Sequence, residues 1–303
     1  MDFNLSQEQT QFADALRRWV NKDYDFEQRK HIIRSSEGIS DTAWSALAEL
    51  GALALPIPEE QGGFNGSAID MLVIMQELGR GLVIEPYFAT VMGAEFLKLA
   101  GNHNALLEQI AAGELKLACA LAEKQSRHDL FDITTHAVKN ADGYILNGVK
   151  TVVLHGGQAG KLIVSARSSD AQRDTDGISL FIVDANATGI GRRDYRTIDG
   201  FRAADITFNQ VQLPSSSLLG NEGKGWETLD AVSDYGTSLL CAESVGIMES
   251  IFAATLEYLK TRQQFGVPIG KFQVLQHRMA EMFMEMEQAR SMATLAAVKV
   301  KST

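Results

Sequence analysis

The sequence predicts a multi-domain α and β fold: an all-α N-terminal domain, a middle antiparallel β-barrel domain and a C-terminal helical bundle. Three observations carry this. Apolar residues recur at steps of three and four before about residue 115 and again after about residue 222, while short apolar runs fill the stretch between. Gly, Asn and Asp punctuate that middle stretch as they do between strands. From Lys260 to His277, a charged helix end, a Gly/Pro-broken turn and a second striped segment follow one another. The domains are accordingly set at 1–115, 116–222 and 223–303.

In the first domain, Phe12, Leu16, Trp19 and Val20 form one helical stripe, and Trp44, Leu47 and Leu50 a second that ends at Gly51. After the loop from Pro56 to Gly63, a helix runs through Ile69, Leu72, Val73 and Gln76 to Gly79. Further helices are expected around Val91 to Ala100 and Ala105 to Ala111. In the middle domain, Tyr144-Ile145-Leu146 precedes Asn147-Gly148, a tight-turn dipeptide, and Val149 to Leu154 continues beyond it. Leu162 to Val164, Ile178 to Val183 and Ile206 to Phe208 are further strands, most simply closed into a barrel. The third domain is an antiparallel helical hairpin. Val245, Met248, Phe252, Leu256 and Leu259 stripe its first helix. Phe272, Leu275, Met279, Met282, Met286, Ala289, Ala293 and Ala296 form the seam of its second, and Gly266, Pro268 and Gly270 make the turn.

Composition excludes several classes. With 303 residues, 45% of them hydrophobic, the chain can build a real core. A net charge of -10 argues against a nucleic-acid partner. Arg192, Arg193, Arg196 and Arg202 are a local basic cluster, read as solvated loop charges in preference to a phosphate contact. Cys119 and Cys241 lie far apart with no metal spacing, so no metal is expected and a reduced, cytoplasmic setting is the default. The start, MDFNLSQEQ, is acidic and polar, unlike a signal peptide. No membrane span is expected. There is no GxGxxG after a strand, no HExxH, no GxSxG and no Walker loop.

Arg262, Phe265, Gly266 and Gln273 stand in the arrangement TRxQFGxPIGxFQxxQH, which closely resembles the acyl-CoA dehydrogenase family. GALALPIPEEQGG, IMQELGR and EPYFATV resemble that family's N-terminal domain, and DGYILNGVK and VQLPSSSLLGNEGKGW its β domain. VSDYGTSLLCAESVG and EYLKTRQQFGVPIGKFQVLQHRMAEM further resemble the small-subunit chains of hetero-oligomeric, pimeloyl-CoA dehydrogenase-type members. The resemblance implies FAD, with the turn reaching across a subunit interface to a flavin. Arg262 would meet the pyrophosphate with its fork of donors, Gln273 would donate an amide hydrogen to a flavin oxygen, and Phe265 would supply apolar contact. Taken alone, Arg262 also suits a helix C-terminus as a plain cation. In the chain's own β domain, the family's flavin positions fall on Leu121, Ala122, Val152 and Leu154. The family's last helices would follow position 303, so the bundle is expected to be incomplete.

Departures from the family pattern matter as much. Its Thr-Glu-Pro-Gly-x-Gly-Ser-Asp loop is here Ala122 to Asp129, without either glycine and with His128 for the serine. Its Trp-Ile-Thr-Asn-Gly is Val152 to Gly156, which removes the aromatic face and the hydroxyl. One arrangement reconciles a worn pocket with an intact turn: a hetero-oligomer in which this chain lends Arg262, Phe265 and Gln273 to a flavin seated in a paralogous subunit. The expected assembly is a tetramer, with such a paralog or with copies of the chain itself.

The family's chemistry is α,β-dehydrogenation of an acyl-CoA thioester to its trans-2-enoyl product, with electrons passed to electron-transfer flavoprotein. The base must be a carboxylate in a dry pocket, where desolvation raises its proton affinity. Its usual positions fall beyond residue 303 or on Gly236. Glu243 lies two helical turns after Gly236 on nearly the same face, beside Leu239, Leu240 and Ile247, and Gly246 is expected to leave space next to it. Glu243 is the candidate base, and a structural carboxylate is its alternative. Glu249 competes from an adjacent face. Two further functions remain open: a non-catalytic subunit that completes a paralog's FAD site, and a flavin oxidase or hydroxylase on the same fold.

Overall fold

The computed structural model describes residues 5–300; the first four residues of the N-terminal segment lie outside the described residues. The chain packs as two compact units. One combines residues up to Lys30, Gly66–Val83 and residues from Tyr235 onward; the other combines His31–Asn65 and Ile84–Asp234.

The helical unit is built on four elements. Helix α1 (Gln7–Asp23) begins in a capping box, Ser6 accepting from the Gln9 amide and Gln9 returning to Ser6. It buries Leu16, Trp19 and Val20, as the stripe predicts. After the short α2 (Phe26–Arg34) and α3 (Asp41–Glu49), helix α4 (Ala68–Arg80) starts in a second box, Ser67 with Asp70. Gln9 Nε2 donates to Asp70 Oδ1 at 2.8 Å, which ties the two helix starts together. Helix α3, the end of α2 from His31, and helices α5 (Tyr87–Ala100) and α6 (Asn104–Ala111) belong to the other unit. Later in the chain come α7 (Trp226–Thr261) and α8 (Gln273–Lys299). The expected antiparallel hairpin is present: Glu249 pairs with Arg290, and the Phe252 and Phe283 rings lie 5.8 Å apart. The seam on α8 buries Met279, Met286, Ala293 and Ala297. Met248, expected in the seam of α7, is instead exposed.

Two glycines read differently in the structure. Gly79 was expected to end α4 but lies inside it. A β-carbon added there would overlap the Glu243 carbonyl oxygen and come within 2.9 Å of its carbonyl carbon. A β-carbon on Gly246 would overlap the Gln76 carbonyl and approach the Arg80 nitrogen to 2.9 Å. The helices α4 and α7 thus touch backbone to backbone, an approach only glycine permits. A line of alternating charges crosses the same helices. Arg17 grips Glu77 through two bonds of 2.5 and 3.1 Å, Arg80 joins Glu77 at 3.2 Å and also pairs with Glu249, and Arg290 joins Glu249 and Glu287, each at 2.6 Å. The Glu77 and Glu249 side chains are only 4% and 15% exposed.

Helix α7 is long and apolar enough, by length and composition, to cross a membrane, a property the sequence reading missed. Its contacts with α4 and α8 and its ion-paired Glu249 mark it as a member of a packed helical bundle.

The second unit centres on an eight-stranded sheet: β1 (Leu117–Ala120), β2 (His136–Lys139), β3 (Gly143–Leu154), β4 (Lys161–Arg167), β5 (Ile178–Asp184), β6 (Ile190–Arg196), β7 (Arg202–Pro214) and β8 (Leu218–Leu219). The order is β6-β7-β3-β2-β4-β5-β8, with β1 also on β4. This corrects the antiparallel barrel: β1 and β2 both run parallel to β4, and the described strands form an open mixed sheet. Periodicity marks which residues are strand but carries no record of which strands pair. Strand β5 buries six consecutive residues because both faces are covered. Phe181, Val183 and Val164 join one core with Tyr144, Leu146 and Ile206; Leu180, Ile182 and Ile163 join another with Phe96, Ile110 and Leu229.

Asn147-Gly148 is not a hairpin turn. It lies inside β3, where the pairing to β7 shifts register, and Asn147 Oδ1 accepts from Gln210 N at 2.8 Å. The extra residue is on β7, where Asn209 and Gln210 face Asn147 alone and Gln210 takes a left-handed φ of +53°. Nor is the arginine cluster in a loop: Arg192, Arg193 and Arg196 lie on the sheet-edge strand β6, and Arg202 opens β7. Charge on an edge strand blocks pairing with another chain. Arg193 pairs with Asp205 at 2.5 Å, and Arg202 donates to the Ser35 and Ser36 carbonyls at 2.8 Å each.

Candidate functional site

The hairpin turn presents three of the expected residues on one rigid support. Strands β9 (Gln263–Gln264) and β10 (Val267–Pro268) pair antiparallel across Phe265-Gly266. Both turn residues are left-handed, φ +55° and +75°, the pattern of a type I′ hairpin, which is why glycine occupies the second position. Phe265 stands at the tip, 90% exposed, with its edge towards Phe272 at 6.1 Å. Arg262 follows the last residue of α7, its N–H bonded to Tyr258 O at 2.8 Å and its carbonyl accepting from Ile269 at 2.9 Å. The backbone is pinned on both sides while the guanidinium stays exposed. Gln273, the first residue of α8, is exposed too.

Glu243 is half-buried on α7, at the crossing with α4. The space that Gly246 was expected to leave beside it is filled by the α4 backbone. Glu249 is not available as a competing base, because Arg80 and Arg290 hold it in ion pairs. Glu257 and Lys260 are exposed.

In the sheet unit, Leu121, Ala122, Val152 and Leu154 come together. The Thr151 amide donates to the Ala122 carbonyl at 2.9 Å, which lays the segment after β1 beside the end of β3. Register slips between Lys150 and Val153, and Val152 takes a left-handed conformation, φ +53°, with its amide bonded to Asp205 Oδ1 at 3.2 Å. This bulge turns the Val152 side chain outward, 55% exposed. Leu121 is buried, and Ala122 and Leu154 are half-buried. The ledge is apolar.

Beneath it lies a group that sequence reasoning missed. The Lys150 and Glu123 side chains are 0% and 1% exposed and pair at 2.8 Å. Lys150 also donates to Leu121 O at 3.1 Å and Ser165 Oγ at 3.0 Å. Glu123 accepts from the amides of Thr134 and Thr135 at 2.9 and 3.1 Å, from the Thr134 hydroxyl and from Gln125. Burial alone would raise the Glu123 carboxyl, but the Lys150 charge and these bonds hold it down at about 2. Burial pushes the Lys150 ammonium down to about 8 against the pull of Glu123. The sequence did hold a signal: Lys150 shares strand parity with buried Tyr144 and Leu146.

His155 was missed as well. It is buried at φ +55°, edge-on to Phe201 at 5.7 Å, and neither ring nitrogen reaches a hydrogen-bond partner. Burial pushes its imidazole down to about 4, with nearby Gln158 opposing. Cys119 and Cys241 are both free thiols, and burial pushes Cys119 up to about 12. Among the described residues no cluster could hold a metal ion.

Two segments differ in their fit to a dinucleotide. The turn offers outward donors at Arg262 and Gln273 on a fixed backbone, which suits a pyrophosphate and a ring oxygen. The loop from Ala122 to Asp129 does not suit a phosphate. Its amides at 123, 126 and 129 are bonded to Ser126 Oγ, Glu123 O and Ser126 O respectively. It also carries Glu123 and Asp129, and Arg127 takes φ +51° where the family has glycine flexibility.

The fold joins a helical unit bearing an exposed I′ turn to a mixed sheet with a bulged apolar ledge. Residues 6–114, 118–211 and 223–302 match the N-terminal, middle and C-terminal domains of acyl-CoA dehydrogenases. The chain belongs to the acyl-CoA dehydrogenase family and is an oxidoreductase of that fold. It is 30% identical over 306 residues to the probable acyl-CoA dehydrogenase YngJ of Bacillus subtilis, covering 98% of this chain and 80% of the relative. Butyryl-CoA dehydrogenase from Megasphaera elsdenii has a similar structure, with TM-score 0.89, 28% identity and coverage of 99% and 81% of the two chains. PigA in its FAD complex is similar too, with TM-score 0.90, 26% identity and coverage of 99% and 80%.

Proposed function

We propose that this chain is a cytoplasmic, FAD-dependent acyl-CoA dehydrogenase subunit that converts a saturated acyl-CoA to its trans-2-enoyl product. Electrons leave to an electron-transfer flavoprotein. The observation that carries the reading is the turn: Arg262, Phe265 and Gln273 face outward from a backbone fixed by the I′ hairpin. Arg262 takes the pyrophosphate of FAD, Gln273 a ring oxygen, and Phe265 seals the apolar edge. Leu121, Ala122, Val152 and Leu154 offer the ring apolar contact alone, since no hydroxyl stands among them. Two unpaired cysteines agree with a reducing compartment.

Bound FAD supplies a hydride acceptor. The chain's own part is the proton. Glu243 takes the α-proton onto its carboxylate, the C–H electron pair becomes the new C=C bond, and hydride leaves the β-carbon. Semi-burial at the α4 crossing removes part of the solvent around Glu243.

A second reading has its own observation. The bonded amides of Glu123, Ser126 and Asp129 in the 122–129 loop favour a subunit that completes the FAD site of a paralog, as in pimeloyl-CoA dehydrogenase-type assemblies. The experiment purifies the chain with and without a co-expressed paralog and records flavin absorbance and turnover for wild type and Glu243→Gln. Retained FAD with lost turnover in Glu243→Gln supports Glu243 as the base. Unchanged turnover rejects it and leaves the completing role. A colourless assembly with every companion present rejects the flavin reading itself.

A further inference from the structure

We propose that Gly79 and Arg80 of α4 are positioning residues for Glu243, fixing the rotation and height of α7 at that carboxylate. The inference rests on the reading of Glu243 as the base. Two independent devices meet there. The first is steric: the α4 backbone at Gly79 lies against the Cα and carbonyl of Glu243, and Gly246, one turn on, lies against Gln76 and Arg80. No side chain intervenes that could rotate away, so the separation of the two helices is set by main-chain atoms. The second is electrostatic. Arg80 bridges Glu77 on its own helix and Glu249 on α7. Glu77 is held in turn by Arg17 of α1, and Glu249 by Arg290 of α8.

Glu249 lies six residues beyond Glu243, about 9 Å along the axis at the usual helical rise. Gly246 falls midway between them. The contact point at Glu243 fixes how closely α7 approaches α4, and the charged tether at Glu249 fixes how far it is slid and turned. Neither device does both alone: the glycine contact allows sliding, and an ion pair on long side chains allows tilt. Together they fix the place and facing of the Glu243 backbone, from which its carboxylate extends. A base must meet its proton at hydrogen-bond range, so this placement controls rate more than affinity.

The test uses the flavin-loaded assembly with saturated acyl-CoA thioesters from butyryl to pimeloyl and a ferrocenium acceptor. Gly79→Ala must separate the backbones by roughly an ångström, a displacement that can cost about a hundredfold in rate. The expected result is a fall in kcat of that size, KM within about twofold, unchanged flavin content, and an acidic limb of the kcat–pH profile displaced by about 0.5 pH or more. Arg80→Lys keeps the charge but cannot span both carboxylates, and a tenfold fall with the same shift of the limb is expected. If Gly79→Ala does not accumulate folded protein, Arg80→Lys decides. Wild-type kcat and pH profile in a folded variant, with only its melting temperature lowered, would overturn the proposal and leave a structural brace. Glu243→Gln is run in parallel. If it turns over normally, the base reading falls and this proposal with it; if it is inactive while the α4 variants behave as wild type, the positioning role alone falls.

Discussion

Lys150→Met removes the charge from the most deeply buried ion pair while keeping most of the side chain's volume. Glu123 then faces Thr134, Thr135 and Gln125 without a cation, and Leu121 O and Ser165 Oγ lose their donor. Removing one partner of a buried pair costs about 3–5 kcal/mol. The carboxyl gives an independent figure: holding it at about 2 against an ordinary 4.5 is worth on the order of 3 kcal/mol. A drop in melting temperature of roughly 6–15 °C follows for a chain of this size. The pH dependence is the sharper signature. The depressed Glu123 contributes stability that is complete above its unfolded value and lost as pH falls through about 2. The gap between wild type and Lys150→Met therefore closes between pH 4.5 and 2. Urea unfolding followed by tryptophan fluorescence across that range measures it. The double variant Lys150→Met/Glu123→Gln should lose less than the two single losses combined. A single variant within about 1 kcal/mol of wild type, with a gap that ignores pH, would refute the reasoning.

Two further outcomes are expected. His155 is neutral in the fold down to about 4, against 6.5 when unfolded, so the unfolded chain binds the extra proton and stability falls as pH drops from 6.5 to 4. His155→Phe should flatten that slope, as urea midpoints at pH 4.5 and 7 would reveal. Arg262→Ala should weaken FAD retention by about 10- to 100-fold, the loss of a charge-assisted contact of roughly 1.5–3 kcal/mol. Arg262→Lys should recover only part, and flavin absorbance after gel filtration reads both. The melting temperature should barely move, because the side chain is exposed.

The stripes of α1 and α8 and the turn at Phe265-Gly266 were legible in the sequence because each is a local pattern: a helical period, or residues that tolerate left-handed angles. What the sequence hid was pairing. Leu162 to Val164 read as strand correctly, but nothing in those residues says that β1 and β2 lie parallel to β4. Glycine proved ambiguous in the same way. Gly79 read as a helix stop and Gly246 as open space, yet each is a place where another backbone fits. A lysine in a strand suggests solvent, and the partner that buries Lys150 is Glu123, 27 residues earlier, which no local pattern in the sequence connects to it. The candidate site is legible at the turn, where a motif specifies residues in order, and obscure at Glu243, whose surroundings come from α4.

The alternating charges across the helical unit bear on how the bundle finds its alignment. Met, Leu and Ala seams are forgiving: a helix can slip one turn along such a surface and still bury comparable area. Three arginines and three glutamates set in alternation are not forgiving. Displacing α7 by a turn would strand Glu249 between two cations it no longer reaches, and would leave Arg80 facing apolar neighbours. The six charges cancel, so they discriminate against misaligned partners without adding to the chain's overall acidity.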